Sequence, residues 1–393
     1  MKVLSPITVC LGAVLGFVVC CFLGRATTHR NVYRHFVRLH PYLEQETSYY
    51  PTVSQLIAVA HAQCPPSSDK ILVVIGGNSV FNGSGQKHDE LWSRVLQADL
   101  GEHYHVLNFS APGAGVVDNG GVVFEALARE YPRAIFAANT EPGYFPAANR
   151  SAYAYLFWDA YYKGLLPKEA GAVAENAPGK GTAAQREFQL GRWLNSRFYF
   201  NDLWTDVAYQ YGSTIWTSWL RSRSFYPRRR LSDWYDKRPP VVADESEFQK
   251  MLPGHLEALR HRRAAAADRF QQGSDGSWVQ TPESLKEDEQ QIAALLPAPL
   301  PKRSLFVLTP FNPWFLAHLT DAERSCVTVS FHNGERLLGQ AGFHVCSMLD
   351  RGFEPTDFGD TVHLAPAGGR KLAHVVAESI RTMTAGADAS SAR

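Results

Sequence analysis

The sequence lacks an excess of charge of either sign. Its 393 residues contain 39 Lys and Arg against 38 Asp and Glu, which leaves a formal net charge of +1. Proteins that bind nucleic acid usually carry a clear basic excess, so this balance argues against that class of function. With 45% apolar residues, the chain is long enough for one large domain with insertions or for two domains.

Cysteine is scarce, and the spacings of common metal and nucleotide sites are missing. Three of the six cysteines lie near the N-terminus, and the others are Cys64, Cys326 and Cys346. This odd number predicts no disulfide framework, although Cys326 and Cys346 flank one predicted helix–strand unit and could pair if oxidised. No Cys/His spacing is typical of a metal site. The glycine-rich segment 76–85 has neither Gly-x-Gly-x-x-Gly nor Walker spacing, so we predict no metal and no cofactor.

An uncharged apolar run occupies residues 3–24, and its length of roughly 22 residues is enough to cross a bilayer once as a helix. No convincing small-x-small cleavage site comes after it, which favours a retained signal anchor over a cleaved signal peptide. Lys2 precedes the run and three arginines follow it by residue 34, a balance that leans against export. A single N-terminal anchor with a short leading segment usually translocates the chain on its C-terminal side. We therefore expect a single-pass membrane protein whose main domain lies on the periplasmic or extracellular side.

The rest of the chain divides into five segments. Residues 25–68 form a polar, aromatic stalk, whereas 69–150 and 302–385 alternate between apolar strands and helices. This alternation predicts an α/β domain in two parts, with a parallel sheet and helices on both faces. The long segment 151–301 between the two parts is predicted to be a largely helical insertion. The Ala- and Ser-rich tail 386–393 is expected to be disordered.

Each predicted strand of the first part delivers small or polar residues at its carboxyl end. Strand 70–75 is followed by Ser79, strand 105–109 by the segment 110–115, and strand 134–138 by Asn139. Open α/β sheets bind their ligands at the carboxyl edge of the strands. An oxyanion hole needs donors held around one developing negative charge, and this edge can provide them.

The second part supplies an acid and a base in the sequence Asp360-Thr361-Val362-His363. On a tight loop, a carboxylate at i and an imidazole at i+3 can face one cleft, where the acid orients the ring and the ring accepts a serine proton. Ser79 is the candidate serine. Taken singly, Ser79 is compatible with an ordinary turn residue, and the Asp-x-x-His segment with a cap of the last helix. The order of all the elements, each at a strand end, favours a catalytic interpretation.

Taken together, Gly-x-Ser, Asn-x-x-x-x-Gly, an Asn after an apolar strand and a late Asp-x-x-His resemble the SGNH (GDSL-type) hydrolases. The resemblance covers residues 70–145 and 302–385. It implies a flavodoxin-like three-layer domain with a parallel sheet. It also implies that Ser79 is the nucleophile, His363 the base and Asp360 the acid that orients it.

The same resemblance implies an oxyanion hole made of the N–H groups of Ser79 and Gly113 and the side chain of Asn139. The sequence departs from the family pattern at two blocks. The usual Gly-Asp-Ser is Gly-Asn-Ser, with Asn78 in the middle, and this Asp is not the triad acid. The usual Gly-x-Asn-Asp is Ala-Ala-Asn-Thr over residues 137–140, which keeps the Asn and replaces its neighbours.

The resemblance predicts acyl-ester chemistry through an acyl-serine, and the triad serves equally for release to water or to a hydroxyl. One N-terminal anchor, a large insertion and a late Asp-x-x-His are similar to envelope members of the family, such as alginate O-acetyltransferases and D-alanyl-lipoteichoic-acid assembly proteins. Those proteins act beside a multi-pass membrane O-acyltransferase. The analogy implies O-acyl (acetyl) transfer or ester hydrolysis on a cell-envelope glycan, with an acyl-ester donor or the glycan as substrate.

Two further questions stay open at this level. The aromatic- and arginine-rich segment 193–235 is compatible with a helical subdomain that buries its rings, with a surface at the membrane interface, or with platforms that stack on sugars. A different class of function is also compatible with the altered blocks. In that alternative the chain keeps the fold without the chemistry and serves as a binding or assembly protein that partners a membrane O-acyltransferase.

Overall fold

The computed structural model describes residues 5–28, 38–39, 53–140, 156–157, 160–161, 163–166, 245–264 and 269–391. The aromatic segment 193–235 and half of the predicted stalk therefore lie outside the described residues. The chain divides into two compact units, residues 1–65 with 155–227 and residues 66–154 with 228–393. All the candidate site residues belong to the second unit.

The described part of the first unit contains two longer helices. Helix α1 (Pro6–Thr28) includes most of the predicted anchor 3–24, and helix α2 (Val53–Gln63) buries Val53, Leu56 and Ala60 at helical spacing. Among the helices of the described residues, none combines the length and the apolar character that a membrane span needs. The N-terminal anchor stays a prediction from the sequence.

The second unit is built on a parallel five-stranded sheet with the order β2-β1-β3-β6-β7. Its strands are β1 (Ile71–Gly76), β2 (Tyr104–Asn108), β3 (Ile135–Thr140), β6 (Ser304–Leu308) and β7 (His344–Ser347). The three central strands are buried along their whole length, as their continuous apolar runs require when both faces of a sheet are covered. The predicted α/β class with a parallel sheet is confirmed.

The strand ends lie level at the carboxyl edge of this sheet. Ile75 pairs with Asn108 on one side and with Ala137 on the other, and Ala138 pairs with Phe306. The turns after β1, β2 and β6 therefore leave the sheet at the edge where β3 also ends. This register brings residues that are far apart in sequence into one place.

Helices surround the sheet and connect its strands. Those of the second unit are α3 (Ser79–Asn82), α4 (Trp92–Leu100), α5 (Gly120–Leu127), α6 (Glu245–Ala264), α7 (Pro282–Ala293), α8 (Pro313–Ala317), α9 (Asp321–Gln340) and α10 (Pro366–Ser391). Short 3₁₀ turns cover His88–Glu90, Leu300–Arg303 and Pro355–Asp357. Helix α5 packs on β1 and β3, whereas α9 packs on β6 and β7.

Local sequence signals set three helix boundaries. Helix α9 begins at Asp321, because Thr320 and Glu323 form a reciprocal capping box. Helix α4 begins at Trp92, since the acidic residues Asp89 and Glu90 before it form a 3₁₀ turn. Helix α10 extends to Ser391, so residues 386–391 continue a helix where the sequence predicts a disordered tail. Alanine, which recurs in this segment, favours continuation.

The described part of the insertion 151–301 is not wholly helical. Strands β4 (Phe270–Gln272) and β5 (Trp278–Gln280) form an antiparallel hairpin between α6 and α7. Gly276 takes a positive φ of 82° in its turn, which is the conformation that a tight hairpin turn needs. The buried Asp288 of α7 holds the hairpin through an ion pair with Arg269 at 2.5 Å. The prediction of a helical insertion is therefore corrected for this segment.

Cys326 of α9 and Cys346 of β7 are both buried in the second unit, and no disulfide joins them. Burial, as the largest cause, raises the pKa of the Cys346 thiol. A buried thiol that stays protonated behaves as a small apolar side chain. The pairing that the sequence allows is thus absent from the structure.

Candidate active site

The nucleophile candidate lies on a strand–turn–helix at the carboxyl edge of β1. Gly77 takes a φ of 99°, a conformation that favours glycine, and turns the chain sharply after the strand. Asn78 then caps α3, because its Oδ1 accepts a hydrogen bond from the Val80 N–H at 2.9 Å. Ser79 is the first residue of this short helix. The turn thus presents Ser79 beyond the end of the sheet.

The triad loop, residues 358–364, carries the acid and the base. An antiparallel bridge between Phe358 and Leu364 and a 2.8 Å hydrogen bond from the Gly359 N–H to the His363 carbonyl close it. Within the loop, Asp360 Oδ1 accepts the backbone N–H groups of Val362 at 2.8 Å and His363 at 2.7 Å. The backbone therefore fixes the direction in which the Asp360 carboxylate points.

A continuous chain of hydrogen bonds joins the three candidate residues. His363 Nδ1 lies 2.6 Å from Asp360 Oδ2, and His363 Nε2 lies 2.7 Å from Ser79 Oγ. An ionised carboxylate can only accept, so Nδ1–H donates to Asp360 and Nε2 is left to accept the Ser79 hydroxyl proton. The Asp360 and His363 side chains are largely buried, with 15% of each exposed. The structure thus brings together Ser79, His363 and Asp360, 284 residues apart at the widest.

The environment of Asp360 favours its ionised form. Burial, the largest single influence, opposes ionisation, but the hydrogen bonds and the charge of His363 outweigh it together. These contacts hold the pKa of the Asp360 carboxyl below its usual value of 3.8. Asp360 is therefore a carboxylate at neutral pH, and it stabilises a proton that His363 receives.

Two backbone N–H groups, one on the nucleophile turn and one on the loop after β2, are the candidate donors to an oxyanion. Within the described residues, neither the Ser79 N–H nor the Gly113 N–H donates a hydrogen bond. The loop that carries Gly113 is held to the nucleophile turn, because the Ala111 N–H donates to the Gly77 carbonyl at 3.1 Å. Gly113 itself takes a φ of 75° in an open, exposed turn. These donors have the character that an oxyanion hole requires.

Asn139, the third predicted donor, lies near the end of β3 and is buried. Its Nδ2 donates to Asn78 Oδ1 at 2.9 Å, and its Oδ1 accepts the Asn78 N–H at 3.0 Å. The side chain packs so closely on the nucleophile turn that a Cβ at Gly77 would clash with Asn139 Oδ1. One N–H of the Asn139 amide is thus engaged with Asn78, and within the described residues the other donates no hydrogen bond.

Asn108 and Asn82 fasten the helix after Ser79 to the loop after β2. The buried Asn108 donates to the Phe81 carbonyl at 2.9 Å, and its Oδ1 accepts from both the N–H and the hydroxyl of Ser110. Asn82 donates to the Ser110 carbonyl at 2.9 Å. These contacts fix α3, and with it Ser79, relative to the loop that carries Gly113. Ser110 follows its strand as predicted and serves this framework.

Sequence reasoning missed three side chains that support the site: Asn78, Gln86 and Asn312. A signal was present for two of them. An Asn at the end of a strand and just before a helix is a typical N-cap, which describes Asn78, and the pair Asn312-Pro313 is the N-cap and N1 pattern. Gln86 lies in a loop without a local pattern. Within the described residues, no group of three or more His, Cys, Asp or Glu is arranged to hold a metal ion.

Comparison with known proteins adds little to this geometry. No family model and no curated protein matches the chain. One solved crystal structure is similar over 80% of this chain and 98% of its own length, with 16% sequence identity and a TM-score of 0.30. A likeness this weak carries no argument about fold or function.

Proposed function

We propose that this chain is a serine acyl-ester enzyme of the SGNH type, which works through an acyl-serine intermediate. The observation that carries the proposal is the unbroken series of hydrogen bonds from Asp360 through His363 to Ser79 Oγ, at 2.6 and 2.7 Å. A nucleophile, a base within hydrogen-bond reach and a third group that orients the base are the parts that nucleophilic catalysis needs. The N–H groups of Ser79 and Gly113 donate to no other described residue. They are therefore the proposed donors that stabilise the negative charge on the carbonyl oxygen.

The first half-reaction forms the acyl-serine. Ser79 Oγ attacks the ester carbonyl while its proton passes to His363 Nε2, and Asp360 stabilises the imidazolium. The N–H groups of Ser79 and Gly113 and the free N–H of Asn139 hold the oxyanion. The tetrahedral intermediate then expels the alcohol, which takes the proton back from His363. The bond between the acyl carbon and Ser79 Oγ remains.

The second half-reaction releases the acyl group. A water molecule or an acceptor hydroxyl gives its proton to His363 Nε2 and attacks the acyl carbon, and Ser79 leaves with that proton. Water makes the protein an esterase and a sugar hydroxyl makes it an O-acyltransferase. We favour O-acyl, in particular acetyl, transfer or hydrolysis on a cell-envelope glycan. The three-layer SGNH architecture, the N-terminal anchor, the exported location and the multi-pass O-acyltransferase partner stay predictions from the sequence.

Active-site labelling tests the proposal. The full-length chain, purified in detergent, is treated with a fluorophosphonate probe and its intact mass is recorded; hydrolysis of p-nitrophenyl acetate is followed in parallel. We expect one adduct on the wild type, mapped to Ser79, and none on Ser79→Ala or His363→Ala. Ser84→Ala is the matched control, because Ser84 is a buried serine of the same loop and should leave labelling intact.

Absence of an adduct on the folded wild type would contradict the proposal. It would favour the alternative, a catalytically degenerate binding or assembly protein of the same fold. The alternative rests on the altered blocks at Asn78 and at residues 137–140, which depart from the SGNH pattern. If the alternative is right, Ser79→Ala leaves the biological role of the protein intact. Loss of that role in Ser79→Ala would exclude the alternative.

A further inference from the structure

We propose that Asn312 and Gln86 are positioning residues of this site. They are two buried amides that hold the triad loop from opposite ends of its sequence, and we call the pair the amide clamp. Asn312 acts on the Asp360 end, and Gln86 acts on the His363 end. The inference rests on the proposed function and deepens it, because it names the contacts that keep the triad aligned.

Asn312 lies in the turn between β6 and α8 and is fully buried. Its Nδ2 donates to the Asp360 carbonyl at 3.1 Å, and its backbone N–H donates to the Thr361 carbonyl at 2.9 Å. These two bonds to successive carbonyls fix the orientations of the 360–361 and 361–362 peptides. The Asn312 Oδ1 is occupied elsewhere, since it accepts the Trp314 N–H at 2.9 Å and so caps α8.

The orientation of the 360–361 peptide is transmitted to the reacting groups. The Asp360 carboxylate is bound to the N–H groups of the next residues of the loop, so it turns with the loop backbone. Its other oxygen is the one that meets His363 Nδ1 at 2.6 Å. A rotation of the 360–361 peptide would therefore misalign the carboxylate and the imidazole together. Asn312 touches neither of the reacting side chains and acts through the backbone.

Gln86 connects the two halves of the triad. It belongs to the loop after Ser79 and α3, and only 1% of it is exposed. Its Nε2 donates to the Leu364 carbonyl at 3.1 Å, directly after His363, and its Oε1 accepts the Trp92 N–H at 2.9 Å. Helix α10 leaves room for this contact through Gly369, where a Cβ would clash with Gln86 Nε2. The Gln86 bond thus ties the residue after the base to the segment after the nucleophile.

The bonds within the triad loop cannot replace the amide clamp. The Phe358–Leu364 bridge and the Gly359–His363 hydrogen bond shape the loop, but they do not place it relative to Ser79. A third external contact comes from the insertion helix α6, where His255 Nδ1 lies 3.0 Å from Thr361 Oγ1. That contact reaches a side chain, whereas both clamp residues hold backbone carbonyls. Catalysis is sensitive to such placement, since a shift of about 1 Å can lower a rate by about 100-fold.

The test uses two variants of the full-length protein. Asn312→Ser keeps a residue that can cap α8 but removes the amide Nδ2 that donates to the Asp360 carbonyl, and Gln86→Met keeps the volume but loses the side-chain bonds to Leu364 and Trp92. The first readout is the rate of fluorophosphonate labelling against pH. We expect a maximum rate about 10- to 100-fold below wild type with unchanged probe affinity.

The second readout does not depend on activity. NMR of the protein with isotope-labelled histidine, assigned with His363→Ala, reports which ring nitrogen of His363 carries the proton. We expect the wild type to hold the Nδ1–H form and both variants to populate a mixture. Thr320→Ala is the matched control, because it removes the N-cap of α9 without touching the triad loop, and it should change neither readout.

The outcomes separate this inference from the proposed function. A His363 tautomer that stays as in wild type in both folded variants overturns the amide clamp, even if labelling slows. A wild type that takes no label but shows the Nδ1–H form, lost in the variants, supports the clamp and contradicts the enzyme. If Asn312→Ser does not fold, Gln86→Met alone decides by the same two readouts.

Discussion

Asn78 and Asn139 hold each other by two hydrogen bonds, from the Asn78 N–H to Asn139 Oδ1 at 3.0 Å and from Asn139 Nδ2 to Asn78 Oδ1 at 2.9 Å. Asn78 Oδ1 also accepts the Val80 N–H, so this one oxygen serves both the helix cap and the oxyanion candidate. An aspartate at this position, as in the SGNH pattern that the sequence resembles, would offer the same acceptor. The departure from that pattern therefore preserves the hydrogen bond to Asn139.

Variants of Asn78 test this interpretation. Asn78→Asp should label with a fluorophosphonate within about threefold of wild type, because the backbone N–H and the acceptor oxygen both remain. Asn78→Ala removes a helix cap and leaves the buried Asn139 amide without its acceptor. We expect it to lower the free energy of unfolding by about 2–3 kcal/mol, measured by chemical denaturation. If Asn78→Asp is as damaging as Asn78→Ala, the amide itself is needed and the equivalence fails.

Part of the site could be predicted because its signals are local. The run from Lys70 to Ile75 is apolar and β-branched and ends at a glycine pair, which predicts a buried strand and a turn without knowledge of the rest of the chain. The Asp360–His363 spacing is equally local. The Asn78–Asn139 pair is not, because it depends on the register between β1 and β3, in which Gly76 pairs with Ala138. A sequence pattern does not encode that register.

The structural features that the sequence did not predict share one physical origin. Helix α8 has five residues, too few for an apolar period, so no predicted helix stood behind the Asn312-Pro313 cap signal. The β4–β5 hairpin turns between Gly273 and Gly276, and each of its strands has three residues. Strands this short cannot show a clear alternation of apolar and polar residues. Gln86 bonds to Leu364, 278 residues later, which only the assembled fold brings within reach. Short elements and long-range contacts thus escape a prediction that depends on local periodicity.

Two glycines with positive φ form a matched pair for mutation. At Gly77, with φ 99°, an added Cβ would clash with Asn139 Oδ1, whereas at Gly113, with φ 75°, it would meet open space. Gly113→Ala should cost about 1 kcal/mol of unfolding free energy, from backbone strain alone. Gly77→Ala adds overpacking and should cost about 2–4 kcal/mol. Urea denaturation of both variants measures the difference, and equal costs would mean that the turn relaxes away from Asn139.

Asp360→Asn should separate orientation from charge. An Asn side chain can donate to His363 Nδ1 and so favour the tautomer that cannot accept the Ser79 proton. We expect the labelling rate at neutral pH to fall by about 10²–10⁴-fold, with the fold retained.

Asp360 should also affect the stability of the protein in acid. Because the folded-state pKa of Asp360 is lowered, its contribution to stability is present above 3.8 and is lost as the pH falls through the folded value.

The acid limb of an unfolding titration therefore provides the check on Asp360. The wild type should lose stability on acidification below about pH 4 more steeply than Asp360→Asn, since the variant has no carboxylate to protonate there. Circular dichroism during urea unfolding at several pH values gives both curves. Parallel curves would show that the ionised carboxylate contributes nothing to folding, and its hydrogen bonds with His363 would then be compensated in full by its burial.

Glu125 on α5 should weaken the fold at alkaline pH. Its Oε1 is buried without a hydrogen-bond partner among the described residues, and burial raises the pKa of this carboxyl from 4.5 to about 7. Between these two values the folded state binds more protons than the unfolded state, so the free energy of unfolding falls as the pH rises through this range. The full penalty applies above pH 7 and amounts to about 3 kcal/mol.

Glu125→Gln should be more stable than wild type at pH 8 and nearly equal to it at pH 4. Glu102→Gln is the matched control, because Glu102 is exposed. Thermal denaturation of both variants from pH 4 to pH 8 measures the effect. If Glu125→Gln changes stability equally at both pH values, the change comes from packing rather than from ionisation.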